Sequence, residues 1–334
     1  IIDKKRSVSS KATAISTWEW LGRGKYNISS ELDRYNSVTR EDVMRVFKKY
    51  IKGKKAVINQ VRPKSPFVDK LDSMISVNPN IDLILKEDPQ YVGLKYNKPN
   101  DNFDRKVQPK AGPAKPSVIP DYYKENFENG LKLIGTKSSE IPKIYMRLRI
   151  KGGDMLVDKK ISGLAELTAD MMNESTVNYS SEEISVALQK LGSTVSFSAD
   201  DDGTTMYIES LTSNIDATLA IAEEKLFRPK FENDDFKRVK KQTMEVMEAM
   251  KKNTQSLGFT YFRNQIFGDT PFGRVTTEKS IKKIKLSDIK DYYNNYYSPT
   301  ISSLVVVGDI DKSSLLSKIN FLKSWKSKEV FIPS

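Results

Sequence analysis

Cysteine and histidine are both absent from the 334 residues of this chain. Without cysteine, a disulfide, a thiolate nucleophile and a thiolate-bound zinc or iron-sulfur centre are excluded. Without histidine, a Ser-His-Asp triad and an imidazole metal site are excluded as well. No stretch approaches the roughly 20 consecutive apolar residues that a membrane-spanning helix needs. Any chemistry that this chain performs alone must use carboxylates, lysine, tyrosine, serine, threonine or backbone groups, and its composition predicts a soluble globular protein.

Positive charge is in excess, since 55 lysines and arginines against 43 aspartates and glutamates give a formal net charge of +12. Such an excess is compatible with an acidic partner such as nucleic acid or an anionic membrane surface. The basic residues are interleaved with acids, however, as in the run 237–241 beside Glu245 and Glu248. This pattern is typical of solvated helix faces, so we expect no nucleic-acid partner and no membrane span.

The first residues carry neither an initiating methionine nor the apolar segment of a signal peptide, because they read Ile1-Ile2-Asp3-Lys4-Lys5-Arg6. We therefore expect an internal piece of a longer protein. The compartment stays open, with a periplasmic or cell-envelope location among the alternatives for a bacterial source.

Three regions are predicted along the chain. Residues 1–64 contain a helical pattern that ends near Gly22, a helix from Thr39 to Gly53 and a short strand over Ala56–Val61. Residues 65–121 are rich in proline and are predicted to form an extended linker or hinge, with two short helices around 67–75 and 81–86 as an alternative.

The third region, 122–334, alternates strand and helix patterns. Its order of strands, helices, strands, helices, strand and helix predicts an α+β fold, in which helices pack on one face of a mostly antiparallel sheet. The predicted strands are 131–134, 144–150, 194–199, 204–211 and 303–307, and the main predicted helices are 162–173, 181–191, 214–227, 234–251, 255–267, 286–297 and 313–325.

Three motifs suggest chemistry but favour structural roles. The run Asp200-Asp201-Asp202-Gly203 lacks the alternating acids of a calcium loop and is interpreted as a solvated hairpin tip. The four tyrosines in 292–297 form two adjacent helical stripes and are interpreted as core residues with hydrated hydroxyls rather than as a stacking platform. Gly152-Gly153 and Gly22-Arg23-Gly24 lack the residues that complete a phosphate-binding loop.

The predicted helix from Ser162 carries two acids four residues apart, Glu166 and Asp170. This spacing places both carboxylates on one helix face, where they repel each other unless a cation or a base relieves them. The surrounding sequence, Gly163-Leu164-Ala165-Glu166-Leu167-Thr168-Ala169-Asp170, resembles the inverted zinc-motif helix of the pitrilysin/insulinase metallopeptidases, peptidase family M16, which reads Gly-Leu-Ala-His-x-x-Glu-His.

The resemblance covers most of 122–325, and the stretch from Val38 to Pro63 is similar to the end of a preceding unit of the same family. The segments that carry it are Asn129-Gly130-Leu131, Gly152-Gly153, Leu191-Gly192-Ser193, Leu226–Phe231, Pro271-Phe272-Gly273, Tyr297-Ser298-Pro299 and Val306–Asp309. It implies a metallohydrolase fold of the M16 type for 122–334, preceded by a helical remnant of another unit.

The chain departs from the family at the residues that bind zinc. Glu166 and Asp170 stand where the resemblance implies two histidine ligands, and Ala169 stands where it implies the glutamate that activates water. The distal ligand position falls near Glu245, or at Val246 if the alignment shifts. We therefore expect no catalytic residue and no bound metal. A less favoured alternative is an all-carboxylate site for Ca²⁺ or Mg²⁺ formed by Glu166, Asp170 and Glu245.

The resemblance implies a function for the whole chain. It predicts the non-catalytic half of a clamshell zinc metalloendopeptidase, which supplies the chamber wall, the hinge and contacts to a peptide substrate. The zinc would then lie in a catalytic M16 half, in the same parent chain or in a partner subunit. The alternative is a non-proteolytic structural or assembly module with the same fold.

Overall fold

The computed structural model describes residues 7–22, 28–57 and 119–332, together with isolated positions between 93 and 113. The chain divides into two units, one made of Ile1–Ile28 with Val118–Ser334 and the other of Ser29–Ser117. The predicted strand over Ala56–Val61 lies almost entirely outside the described residues. The same is true of the predicted linker with its two short helices.

Six strands and eleven α-helices are formed by the described residues. The strands are β1 (Tyr123–Asn126), β2 (Lys132–Lys137), β3 (Lys143–Lys151), β4 (Thr194–Asp200), β5 (Gly203–Leu211) and β6 (Ser302–Gly308). The helices are α1 (Val8–Gly22), α2 (Ile28–Asn36), α3 (Arg40–Tyr50), α4 (Leu164–Met171), α5 (Ser181–Leu191), α6 (Ile215–Phe227), α7 (Asn233–Met250), α8 (Thr254–Phe267), α9 (Glu278–Lys283), α10 (Leu286–Tyr296) and α11 (Lys312–Lys318).

All six strands belong to one sheet in the order β1-β2-β6-β3-β5-β4. Every neighbouring pair is antiparallel except β2 and β6, which run parallel. The predicted α+β fold with a mostly antiparallel sheet is therefore confirmed. Among the described helices, none has the length and apolarity that crossing a bilayer requires.

Strand β3 shows how the sequence sets the two faces of the sheet. Ile144, Met146, Leu148 and Ile150 are buried, whereas the residues between them are partly or fully exposed. This period of two places every second side chain in the core. The core continues into the helices through residues such as Leu167 in α4, Leu219 in α6 and Ile289 in α10.

The boundaries of α5 follow the signals that predict them. Ser180 caps the first turn, since its side chain accepts a hydrogen bond from the Glu183 amide while the Glu183 carboxylate accepts one from the Ser180 amide. This reciprocal pair satisfies two amides that have no partner within the helix. Gly192, at φ +60°, ends the helix in the left-handed conformation that glycine adopts readily.

The predicted helix over 313–325 is wrong in its second half. Helix α11 ends at Lys318, and residues Asn320–Ser324 form a 3₁₀ segment. Ile319, Leu322 and Trp325 are buried and lie three residues apart, which matches the period of a 3₁₀ helix and places all three on one face. Asn129 also donates hydrogen bonds to the carbonyls of Leu322 and Trp325, at 2.7 and 3.2 Å.

The 3₁₀ turn Gly153–Leu156, which follows β3, packs against the tip of the β4–β5 hairpin. The Gly152 amide donates to the Asp202 carbonyl at 2.7 Å, and the Met155 amide donates to the Asp201 carbonyl at 2.9 Å. A Cβ added to Gly153 would lie 2.2 Å from the Asp200 carbonyl oxygen and 2.4 Å from the Gly203 nitrogen. Only glycine allows the two backbone segments to approach this closely.

We expect Gly153→Ala to destabilise the fold by on the order of 3 kcal/mol or more, because backbone atoms must move apart. Gly192→Ala is the matched control, since Gly192 also has a positive φ but has no atom within 4 Å of the added Cβ. The control should cost only about 1 kcal/mol, from left-handed strain. Urea unfolding of both variants measures the difference, and equal losses would contradict the proposed packing of the hairpin on Gly153.

Candidate functional site

Helix α4 begins at a buried carboxylate. Asp154 accepts hydrogen bonds from the Gly163 amide at 2.9 Å and from the Ser162 hydroxyl at 2.6 Å, and it is only 3% exposed. A negative charge at a helix N-terminus interacts favourably with the helix dipole. The start of α4 is thus held by a side chain from the turn that packs against the β4–β5 hairpin.

The two acids of α4 lie on one helix face, as the sequence predicts. The opposite face, with Leu164, Leu167 and Met171, is buried in the core, and the helix contacts β4, α7 and α10. Glu166 and Asp170 line a cavity of about 530 Å³. We call this cavity the acidic compartment; its other lining residues are Gly163, Val239, Gln242, Thr243, Val246, Met247, Met250, Phe259, Thr260, Arg263, Val275, Thr276 and Ile281.

Burial raises the pKa of Glu166 to about 7. The negative charges of Asp154, Asp201 and Asp170 contribute to this rise after burial, and the guanidinium of Arg263 opposes it. A carboxyl with this pKa changes its charge close to neutral pH. The acidic compartment therefore gains negative charge as the pH rises through about 7.

Asp170 is more exposed than Glu166, and both line the compartment. Partial loss of hydration, and then the charge of Glu174, raise the pKa of Asp170. Glu174 itself pairs with Arg238 of α7. Arg238 is therefore already engaged by a carboxylate just beyond the end of α4.

The remaining predicted site residues do not complete a metal site. Ala169 is fully buried in the core, and it provides no group that could accept a proton. Glu245 points into solvent on α7, 3.7 Å from Lys241, and Val246 lines the compartment instead. The structure thus brings Glu166 and Asp170 together but not Glu245. In the described part of the chain, no group of three or more Asp, Glu, Cys or His side chains is arranged to hold a metal ion.

Two arginines that the sequence does not single out hold the hairpin tip. Arg149 forms a bidentate pair with Asp200, at 2.9 and 2.6 Å, and also bonds Asp202. Arg263 of α8 bonds Asp201 at 2.8 Å and the Arg274 carbonyl at 2.9 Å. The interpretation of this tip as merely solvated is therefore incomplete, because each of its carboxylates has an arginine partner. No local pattern marks these pairs, which join residues 51 to 62 positions apart.

The four tyrosines in 292–297 belong to the core or pack against it, as expected, but the hydroxyls of Tyr292 and Tyr293 are not left to water. The Tyr292 hydroxyl donates to the Gly153 carbonyl at 2.8 Å, and the Tyr293 hydroxyl donates to the Leu226 carbonyl at 2.7 Å. The interpretation of hydrated hydroxyls is therefore wrong for these two residues. Tyr292 ties α10 to the same turn that holds the start of α4.

Comparison with known families gives two adjoining matches. Residues 134–279 match the family described as insulinase (peptidase family M16), and residues 283–333 match the peptidase M16 inactive domain. The matched residues contain most of β2, all of β3 to β6, α4 and every residue lining the acidic compartment except Ile281.

Individual proteins of known name are also similar to part of this chain. The non-peptidase homolog YmxG of Helicobacter pylori is 26% identical over 197 residues, which cover 57% of this chain and 45% of that protein. The probable zinc protease PqqL of Haemophilus influenzae is 27% identical over 231 residues, which cover 63% of this chain and 23% of that protein. The chain thus spans less than half the length of either relative.

Among solved structures, a peptidase M16 inactive domain from Pseudomonas fluorescens is similar to this fold. Its TM-score is 0.59 at 22% identity, and the match covers 64% of this chain and 53% of that one. At this identity the likeness supports the fold alone.

We expect Glu166→Gln to stabilise the protein at pH 8 and to change it little at pH 4.5. The folded pKa of about 7 exceeds the ordinary 4.5, so the folded state holds the extra proton and stability falls as the pH rises between these values. At about 1.4 kcal/mol per pH unit, the loss that the variant removes is on the order of 3 kcal/mol at most.

Thermal unfolding of the wild type and of Glu166→Gln across this pH range tests the expectation. Glu245→Gln is the control, since it removes an exposed carboxylate on the neighbouring helix. If Glu166→Gln is no more stable than the control at pH 8, the ionised Glu166 carboxylate does not destabilise the folded protein, and the expectation is wrong.

Proposed function

Because the chain belongs to peptidase family M16, we propose that it is the non-catalytic half of a zinc metalloendopeptidase of that family, forming a chamber wall, a hinge and contacts to a peptide substrate. The zinc and the catalytic residues lie in another M16 half, either N-terminal in the same parent chain or in a partner subunit. The observation that carries the proposal is the motif helix α4, which has an M16 sequence frame but holds Glu166, Ala169 and Asp170 at the functional positions.

The residues of this chain do not fit a catalytic zinc. Such a zinc is held by three protein ligands, which are usually histidine, cysteine or a carboxylate. Glu166 and Asp170 offer two carboxylates, while Val246 lies on the α7 wall of the compartment, where a third ligand would be needed. Ala169 also leaves no proton acceptor at the position of the base. These residues support a wall of the chamber rather than its reaction centre.

We further propose the domain layout 1–64, 65–121 and 122–334, in which the first region is the end of a preceding M16 unit, the second is a hinge and the third is the degenerate unit. Helices α3 and α10 support it. In α3 the Asp42 carboxylate accepts from the Thr39 amide, and in α10 the Asp288 carboxylate accepts from the Lys285 amide. Each helix therefore begins with the same local hydrogen bond.

Apolar residues follow these two aspartates at identical spacings. They are Val43, Val46, Phe47, Tyr50 and Ile51 in α3, and Ile289, Tyr292, Tyr293, Tyr296 and Tyr297 in α10. In α10 the first, second and last of these are buried in the core, whereas all five in α3 are exposed. The apolar face of α3 therefore matches the face that α10 packs against the core of its own domain. This match supports a preceding unit of the same type, whose sheet and motif helix would cover α3.

One comparison favours a second candidate function, a non-proteolytic assembly module. The similar H. pylori protein is named a non-peptidase homolog. The two proposals are distinguished by whether an intact HxxEH motif is encoded in the same gene or in an adjacent one. Its presence supports the protease half, and its absence supports the assembly module.

We expect the purified chain, equilibrated with zinc and then desalted, to retain no stoichiometric metal and to cleave no peptide, because it lacks a third ligand and a base. Elemental mass spectrometry and a peptidase assay with and without chelator measure both properties. Bound metal together with chelator-sensitive cleavage, both lost in Glu166→Gln, would overturn the non-catalytic assignment.

In the assembled enzyme, we expect Phe259→Ser to raise KM about 3- to 10-fold, since it removes an apolar contact of roughly 1 kcal/mol from the wall, while zinc content stays unchanged. Tyr261→Ser is a matched control, because Tyr261 is on the same helix and equally exposed, 68% against 67%, but does not line the acidic compartment. Equal KM changes in the two variants, or loss of zinc in Phe259→Ser, would count against a chamber wall at this position.

A further inference from the structure

A second cavity adjoins the acidic compartment. It has a volume of about 770 Å³, and five residues line both cavities: Met247, Met250, Thr260, Val275 and Thr276. We call it the lysine compartment; its other lining residues are Lys251, Ser256, Leu257, Thr277, Glu278, Lys279, Lys282 and Lys283. Together the two compartments form one groove bordered by α7, α8 and α9.

The two ends of this groove carry opposite charges. At one end are Glu166 and Asp170, and the cation that lines the same compartment, Arg263, is already bonded to Asp201 and to a backbone carbonyl. At the other end, Lys251 and Lys282 share Glu278, whereas Lys279 and Lys283 have no ion-pair partner in the part of the chain that the structure describes. The acidic end thus has excess negative charge, and the other end has excess positive charge.

The walls between these ends are apolar and accessible. Met250 and Leu257 are each 48% exposed, and Phe259 and Val246 are more exposed still. Methionine side chains adapt to different partners and are common on surfaces that bind several peptides. A solvent-exposed apolar strip of this kind is typical of a binding groove rather than of an ordinary surface.

We propose that this groove binds an extended peptide segment, with a basic side chain in the acidic compartment, apolar side chains along the shared wall and an acidic side chain against the lysines of the lysine compartment. The proposal rests on the proposed peptide-contacting function and specifies which peptides are preferred. Charge complementarity at both ends of one apolar groove is the observation that supports it.

The dimensions and the chemistry suit such an occupant. Adjoining cavities of these volumes are each roughly 10 Å across, so their centres are separated by about that distance. An extended chain advances about 3.3 Å per residue, so about three residues separate a side chain in one cavity from a side chain in the other. A lysine buries its methylene stem on apolar surface while its ammonium reaches a carboxylate. Val239, Val246 and Phe259 provide that surface beside Glu166.

The direct test is fluorescence anisotropy with the complete chain and fluorescein-labelled nonapeptides. In these peptides a lysine and a glutamate flank three apolar residues, in both orders, within serine and glycine ends. A matched set replaces the lysine by norleucine, which keeps the stem and removes the charge. At pH 8, we expect norleucine to weaken binding of the preferred order about 10-fold.

The variants assign this preference to one residue. Glu166→Gln should reduce the difference between lysine and norleucine, because Asp170 is then the one remaining carboxylate among the residues that line the compartment, whereas Glu245→Gln, on the exposed side of α7, should retain it in full. The difference should also shrink at pH 5.5. The groups facing Glu166 are Asp154, Asp201, Asp170 and Arg263, and protonation of Glu166 removes one of the two carboxylate charges that line the acidic compartment. Circular dichroism on each variant checks that the fold is kept.

A second pair of variants tests the other end of the groove. Lys283→Gln should weaken peptides with glutamate about 3-fold and leave their glutamine analogues unchanged. Lys290→Gln is the control, because Lys290 is an exposed lysine on α10 and does not line the groove.

Each other outcome has one meaning. Equal affinity for lysine and norleucine peptides would overturn the charge-selective groove and leave the peptide-contacting function standing. No binding of any peptide would count against that function as well. A dimer in sedimentation that dissociates on Phe259→Ser and excludes the peptides would assign the groove to a second copy of this chain.

Discussion

The close approach of the turn Gly153–Leu156 to the β4–β5 hairpin fixes the geometry on which the rest of the domain depends. Gly153 allows backbone contact with the hairpin, and Asp154 in the same turn holds the first residues of α4. Tyr292 of α10 bonds the Gly153 carbonyl. The hairpin in turn holds α8, through Asp201 and Arg263. The turn thus holds α4 and α10, the hairpin packed on it holds α8, and the start of the helix that carries Glu166 is held by the Asp154 carboxylate.

The sequence predicts the elements whose signals are local. Alternation in β3, the cap at Ser180 and the stop at Gly192 depend on residues a few positions apart, and the structure follows all three. Sequence-based prediction fails where contacts with distant residues determine the local structure. Helix α11 ends early because Asn129, nearly two hundred residues away in the chain, binds the carbonyls of the following 3₁₀ segment. Ile319, Leu322 and Trp325 are spaced three residues apart, but this spacing indicates a 3₁₀ helix only once it is known that these three residues form the buried face.

The same distinction between local and distant residues applies to the candidate site. The spacing of Glu166 and Asp170 places them on one face, and the structure agrees. Which residue of α7 faces them depends on how two helices cross, so that Val246 rather than Glu245 lines the compartment. The sequence does not reveal that Arg263 lines the acidic compartment or that four lysines line the neighbouring lysine compartment, because the packing of α7, α8 and α9 brings these residues together. A surface built from three helices that are separate in the chain leaves no motif in the sequence.

The position of β6 in the sheet has a consequence for how the chain is made. Strands β2 and β3 follow each other directly in the sequence, yet they are not neighbours, because β6 lies between them. During synthesis both strands exist long before residues 302–308 are added, and each then presents an unpaired edge toward the gap. Long-range pairing of this kind slows folding and leaves edges that other chains can join. We therefore expect the nascent domain to be prone to aggregation, and to depend on chaperones, until β6 emerges and fills the gap.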